Sequence, residues 1–446
     1  IDRSGTLDLT NSISGTGTLT IDNPAAADSV ILSADNSHAG GTTLNKGTLR
    51  LTRSNALGTG TKTLSSPGAD RRIQLSNNIT LPAALTLSAS SNSFDGGGIS
   101  NLDGNNEIQG PIQITTGNGL LNISSTSGTL LVSGTITAAA ATRSLLLGGA
   151  STGTISGAIS DGLTTAMPVT KQGGGTWTLS HPNNTYTGPT AINAGKLVLS
   201  GSLTSDITTT TGILAPQGSP ATTGGLSISS TGRLEVRPGD TITIGTTVTL
   251  AGNLDLIAPP GLTPGTSYTL LNKTSPGPIA GAFLDKPEAG TFTAGGQLWR
   301  ISYLGGDGND LVLTIVPNPS AIESWSQLHF GNSGNSGNSA DSADPNHDGE
   351  TNLLEFATGQ NPHAATRTTT GLDASNGGIH FTYPRNPDAH AEGYSFLVEF
   401  SDTLSDPWLA AGPGTVITAG PPELVRVPLP PGPGGKRFAR LRISAP

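Results

Sequence analysis

The chain has 446 residues, of which 62 are glycine, 31 are proline and none is cysteine, and aromatic side chains make up only 4%. That composition excludes an ordinary globular core, and 34% hydrophobic residues in regular alternation excludes a disordered chain. A formal charge of −9 and basic runs no longer than Arg71-Arg72 and Lys436-Arg437 give nucleic-acid binding no support, no stretch approaches the length of an apolar membrane span, and the lack of cysteine removes disulfides and thiolate metal sites.

From Ile1, which reads as the start of a processed or excised chain, to residue 316 the recurring unit is a short alternating strand followed by a Gly, Asn, Ser or Thr turn. Gly17-Thr18-Leu19-Thr20-Ile21, Gly47-Thr48-Leu49-Arg50-Leu51, Gly128-Thr129-Leu130-Leu131-Val132 and Gly252-Asn253-Leu254-Asp255-Leu256 are examples. Period-2 placement of Leu, Ile and Val gives each strand one inward face, with Thr on the other. Two windows align without a gap: Asn36, Gly40, Thr42, Thr43, Leu44, Asn45, Gly47, Leu49 and Leu51 sit opposite Asn184, Gly188, Thr190, Ala191, Ile192, Asn193, Gly195, Leu197 and Leu199, seven of nine identical at an offset of 148. The pattern predicts Leu49, Leu51, Leu197 and Leu199 inward, Asn45 and Asn193 in a turn, Thr190 outward, and His38 and His181 as exposed turn residues. Stacked coils of roughly 20 to 25 residues account for such a repeat. With Phe94 the one aromatic residue before Trp177, a solenoid is favoured over sandwiches, whose thicker cores need larger side chains.

The windows Lys171 to Ser200 and Gly40 to Leu51 resemble the autotransporter-associated beta-strand repeat of large bacterial surface and secreted proteins. Leu214-Ala215-Pro216-Gln217-Gly218-Ser219-Pro220 is similar to a segment recurring in that family, and Tyr268 to Leu271, Trp299 to Tyr303 and Gly305 to Asp310 resemble the way such passenger regions close. The resemblance implies a right-handed, single-stranded parallel β-helix, with export to the cell surface or medium. No set of strands after 316 suits an outer-membrane barrel.

After Pro317-Asn318-Pro319 the composition shifts, with ten of eighteen aromatic residues falling in 317–446. Residues 317–340, with Gly331 to Ser339 repeating Gly-Asn-Ser, read as a flexible linker. Residues 341–366 hold the sharpest motif. Asp344, Asn346, Asp348, Asn352 and Glu355 fall at positions 1, 3, 5, 9 and 12 of a calcium loop with Gly349 at its turn, and Glu350 supplies a carbonyl at position 7. Calcium takes six to eight hard oxygen ligands, which this spacing wraps around one ion. The segment resembles EF-hand and dockerin loops. Leu353, Leu354 and Phe356 then begin a short helix that Thr358-Gly359 and Asn361-Pro362 end. Residues 367–446 form a small antiparallel β-sandwich-like domain, similar in order to the ends of exported proteins of the Verrucomicrobia type. Gly305 to Asp310 resembles one calcium-binding nonapeptide, but reads better as a Gly-rich turn before Leu311 to Ile315.

No catalytic residue is expected. Asp95 with Asp103, or Asp240 with Asp255, show no spacing that selects a carboxylate pair, and no nucleophile elbow or phosphate loop occurs. Three readings follow: a structural surface or matrix component that self-associates through its solenoid ends into a fibre; an adhesin binding extracellular glycan or protein; and a polysaccharide-active enzyme.

Overall fold

The computed structural model describes residues 1–446 apart from positions 3, 26, 61, 65–70, 85, 90–97, 115–118, 164–165, 375–376, 406 and 433–435. Arg3, Phe94 and Asp95 lie outside the described residues. Two compact units divide the chain, Ile1–Pro317 and Asn318–Pro446.

The first unit is a parallel β-solenoid. Its longest ladder passes in sequence order from Thr6–Leu9 through Ser29–Leu32, Thr42–Leu51 and Arg71–Leu75 to Val248–Leu250 and Ala280–Gly281, parallel at every step. Partners lie 17 residues apart at Thr190 and Ile207, 24 apart at Ile99 and Ile123 and again at Leu145 and Val169, and 31 apart at Thr249 and Ala280. Among the described residues a second face stacks nine strands, the last being Asn253–Leu256. Register aligns one inward column through Val30, Leu49, Ile73, Ile99, Ile123, Leu147, Lys171, Ile192, Thr209, Ile228 and Leu250. Each aliphatic member is buried, as alternation requires. Lys171 enters this column because its stem is apolar and its ammonium turns back to the carbonyls of Gln172, Gly173 and Ala194 at 2.7–3.0 Å. Trp177 fits because its rung partner is Gly153: a Cβ there would fall 2.6 Å from the indole, whose Nε1 donates to Gly148 O at 2.8 Å.

The aligned windows are joints between coils. Asn36 Oδ1 accepts from Ile13 N at 2.8 Å and its Nδ2 donates to Ala56 O, so one buried amide ties the preceding coil to the following one. Asn184 does the same, accepting from Ile159 N at 3.1 Å and donating to Ser202 O at 3.1 Å. Leu49, Leu51, Leu197 and Leu199 point inward as expected. Thr190 does not point outward, nor does its equivalent Thr42: both are fully buried. His38, expected at the surface, is 1% exposed. At the offset of 148 its counterpart is Tyr186 rather than His181, and the two rings do the same work. His38 Nε2 lies 2.9 Å from Thr42 Oγ1, and the Tyr186 hydroxyl lies 2.7 Å from Thr190 Oγ1. His181 remains at a turn, bonded to Asn183.

The parallel order does not run to residue 316. Ser267–Lys273 still lies parallel to Ile242–Ile244, but Asp310–Val316, Gln297–Gly305 and Thr291–Ala294 add antiparallel to it. Aromatic residues concentrated here, including Phe283, Trp299 and Tyr303, fill this closing layer. Tyr303 fixes it by accepting from Phe283 N at 3.0 Å and donating to Lys286 O at 2.7 Å. Gly305 to Asp310 is the tight turn between two of these strands, and the Asp310 carboxylate accepts from Lys273 N at 2.8 Å.

In the second unit, the stretch read as a flexible linker carries helix α1 (Ala321–Phe330), started by a complete capping box between Ser320 and Glu323 and ended by Gly331 at φ 67°. The Gly-Asn-Ser repeat is folded by side-chain bonds, with Ser326 of α1 donating to Asn332 O and Ser339 of the repeat to Ser336 O. Helix α2 spans Asn352–Thr358, capped by Thr351 and closed by Gly359 at φ 77°, and α3 spans Pro387–Ala391. Phe356, Ala357, Ala389 and Tyr394 pack these helices together with Trp325. Two antiparallel sheets follow, Gly371–Asp373, Ile379–Arg385, Glu423–Leu429 and Thr415–Thr418 in one, Leu409–Ala410, Ser395–Ser401 and Phe438–Ser444 in the other. Phe381, Tyr383, Val398, Phe400, Val425 and Val427 from both sheets make one core.

Candidate metal centre

The Asp344–Glu355 loop curls because its own carboxylates accept its backbone. Asp344 takes Asp348 N at 3.2 Å and Gly349 N at 2.9 Å, Asn346 Oδ1 takes Asp348 N at 3.1 Å, and Asp348 takes Glu350 N at 2.9 Å. Gly349 at φ 92° makes the reversal that a side chain would resist. Helix α2 then brings Glu355 back over the loop. The Asn346 amide nitrogen stands amid three oxygens: Glu355 Oε1 at 2.9 Å, Ala364 O at 2.9 Å and Asp348 Oδ2 at 3.2 Å.

Asp344, Asn346, Asp348 and Glu355 are thus brought together. Glu350 and Asn352 have other bonds. The Glu350 carboxylate accepts from the Thr368 amide and hydroxyl, each at 2.8 Å, and the Asn352 amide donates to Asn338 O and Ala340 O, tying the Gly-Asn-Ser segment to α2. Sequence spacing missed three contributors beyond the loop: the Ala364 carbonyl, Thr368, and Arg367, whose Nε donates to Asp348 O at 2.5 Å. Arg367 carried a signal, as the first basic residue after a run of acids that begins at Asp310.

Glu355 is completely buried, and its Oε2 has no hydrogen-bond partner among the described residues. Burial first, then the charges of Asp348, Glu350 and Asp344, raise its pKa to about 7, against the favourable bond from Asn346. A cradle of hard oxygens with an orphaned buried carboxylate oxygen and surplus negative charge suits a divalent cation chemically. Among the described residues no cluster of three or more His, Asp or Glu side chains has ready-made metal-ligand geometry. The amide donors of Asn346 currently bridge the oxygens that would have to open around an ion.

The carboxylates weighed for catalysis have structural partners. Asp255 pairs with Arg233 at 2.6 Å on the adjacent rung, Asp240 accepts from Gly218 N at 2.7 Å, and Asp103 accepts from Asn77 N at 3.0 Å.

The passenger-associated-transport-repeat family matches residues 27–51 and 169–199, the two segments that contain the buried joints. An autotransporter adhesin named BmaC, from Brucella suis biovar 1 (strain 1330), is 47% identical over 77 residues, which is 16% of this chain and 2% of that protein. The chain carries passenger-type repeats on a parallel β-solenoid.

Proposed function

We propose that the chain is a non-enzymatic, adhesin-type passenger of the cell surface or surrounding medium. The observation that carries this reading is the coincidence of the matched repeats with coil-to-coil joints: their buried side chains serve stacking, so the solenoid is a scaffold whose outward faces are left for binding. Similarity to a named adhesin supports binding to an external target. The test is adhesion. Beads coated with the intact chain should attach to cells or extracellular matrix above beads coated with a heat-unfolded sample; equal attachment would overturn the reading.

The second unit fits the role as a module stiffened by one calcium ion, with its two antiparallel sheets read as a small sandwich. Asp344, Asn346, Asp348 and Glu355 would hold the ion by side-chain oxygens and Glu350 by its carbonyl, with Asn352 acting directly or through water. Calcium would neutralise the loop, drawing Glu355 into its charged form. Isothermal titration of the intact chain should show one site that is lost in Glu355→Ala. Indistinguishable binding by the two proteins would remove the assignment.

Self-association through the solenoid ends ranks below adhesion. The antiparallel strands leave Thr291–Ala294 as the outer edge of the third sheet, and the other two ladders end in the short strands Ala280–Gly281 and Asn253–Leu256, poor templates for another coil.

A further inference from the structure

The outer face of the three-stranded sheet in the second unit combines cations with aromatic rings. Alternation along Phe438–Ser444 places Phe438, Arg440 and Arg442 on the face opposite the core residues Ala439 and Leu441. Arg440 sits over Trp408 at 4.1 Å from the ring centroid, held there by a 2.8 Å bond to Glu399 on the neighbouring strand. Glu399 is buried between Arg440 and Arg442, the latter 3.8 Å away with 66% of its side chain exposed. Arg437, on the core side of the sheet, covers the ring of Phe400 at 4.3 Å and pairs with Asp402, and exposed Lys436 precedes it. On the outer face two guanidinium groups, Arg440 and Arg442, therefore share the one carboxylate of Glu399, in a chain whose formal charge is −9. Exposed Phe438 and half-buried Trp408 flank them.

We propose that this face binds an acidic polysaccharide of the uronate class. The inference deepens the adhesin reading and rests on it, naming the ligand class. Guanidinium groups pair with carboxylates in a fixed planar geometry, and rings beside them offer apolar contact to the C–H faces of sugars. The Glu399 clasp holds Arg440 against Trp408, so that guanidinium has little side-chain freedom to lose on binding, while Arg442, exposed beside it, carries the charge that Glu399 leaves over. An acidic peptide would more naturally add to a strand edge, where backbone bonds are offered, than lie across this face.

The test uses the intact chain with hyaluronate as probe, and dextran, polyglutamate and double-stranded DNA as comparators. Hyaluronate should bind, weaken when sodium chloride rises from 0.05 to 0.5 M, and bind at least tenfold more weakly to a Lys436→Glu/Arg442→Glu double variant. Arg442→Gln and Phe438→Ala should each weaken it with an unchanged unfolding transition, and dextran should not bind. A control reversal in the first unit, Arg237→Glu/Arg300→Glu, should leave affinity within twofold. Absence of hyaluronate binding, equal binding by the double variant, equal loss in the control, or equal affinity for DNA or polyglutamate would each overturn the proposal. Bead adhesion that survives such a result would leave the adhesin reading standing, since it is measured independently of this ligand.

Discussion

Asn184 decides more than its single amide suggests, because its loss would strand the buried Ile159 N and remove the side-chain bonds to His181 O and Ser202 O, leaving Ser202 O only the bond from Asn184 N at 3.0 Å. Asn184→Ala should cost about 2–4 kcal/mol in thermal or denaturant unfolding, whereas Asn183→Ala, at an exposed turn, should stay within about 0.5 kcal/mol. Comparable losses would contradict the joint. Tyr186 adds a pH signature. Burial holds its hydroxyl up to about 12, so between pH 10 and 12 the folded state keeps a proton that the unfolded chain has released, and stability falls as pH rises through that window. Tyr186→Phe should lose about 1 kcal/mol at neutral pH and show a shallower alkaline decline, so that the gap from wild type narrows above pH 10; parallel curves would count against the buried hydroxyl. At this scale the inward leucines were legible from alternation alone. Thr190 and His38 were not, because a hydroxyl or imidazole reads as polar until its partner is known: the rings of Tyr186 and His38 satisfy the two threonines from within the same joint.

Between elements, size complementarity on adjacent rungs is testable at Gly153 and Trp177. Gly153→Ala should destabilise the first unit by about 1–3 kcal/mol, and Trp177→Leu in the same chain should relieve part of that penalty; strictly additive losses would contradict the contact. In the second unit, chelating calcium should increase proteolysis within 331–362. The proposed ion, α2 and the Gly-Asn-Ser segment are linked through Asn352 and its bonds to Asn338 and Ala340. Unchanged cleavage with and without chelator would break that chain of coupling. Helix α2 and its Gly359 stop could be read from sequence, whereas α1 could not be taken from composition. Its cue was the Ser320 to Glu323 capping box, overshadowed by the repeated glycines that follow. The Arg440–Glu399–Arg442 face also escaped sequence reading. A search for consecutive basic residues passes over charges spaced by two, although that spacing places them side by side on a strand.

For the whole chain, the parallel solenoid and the change of character near residue 317 were visible in strand periodicity, the offset of 148 and the distribution of aromatic residues. The reversal of strand direction before residue 316 was not, since parallel and antiparallel strands share the same alternation and differ only in long-range pairing. The proposed passenger is a stacked scaffold with a second unit proposed to bind calcium and acidic glycan, and all of these proposed roles require exposure outside the cell. The most direct measurement is immunogold labelling of intact cells of the organism that makes the protein, with antibodies against folded solenoid, together with labelling of immobilised culture medium. Label on unpermeabilised cells or in the medium, without a matching increase after lysis, is the predicted result; label that emerges only after permeabilisation would contradict it.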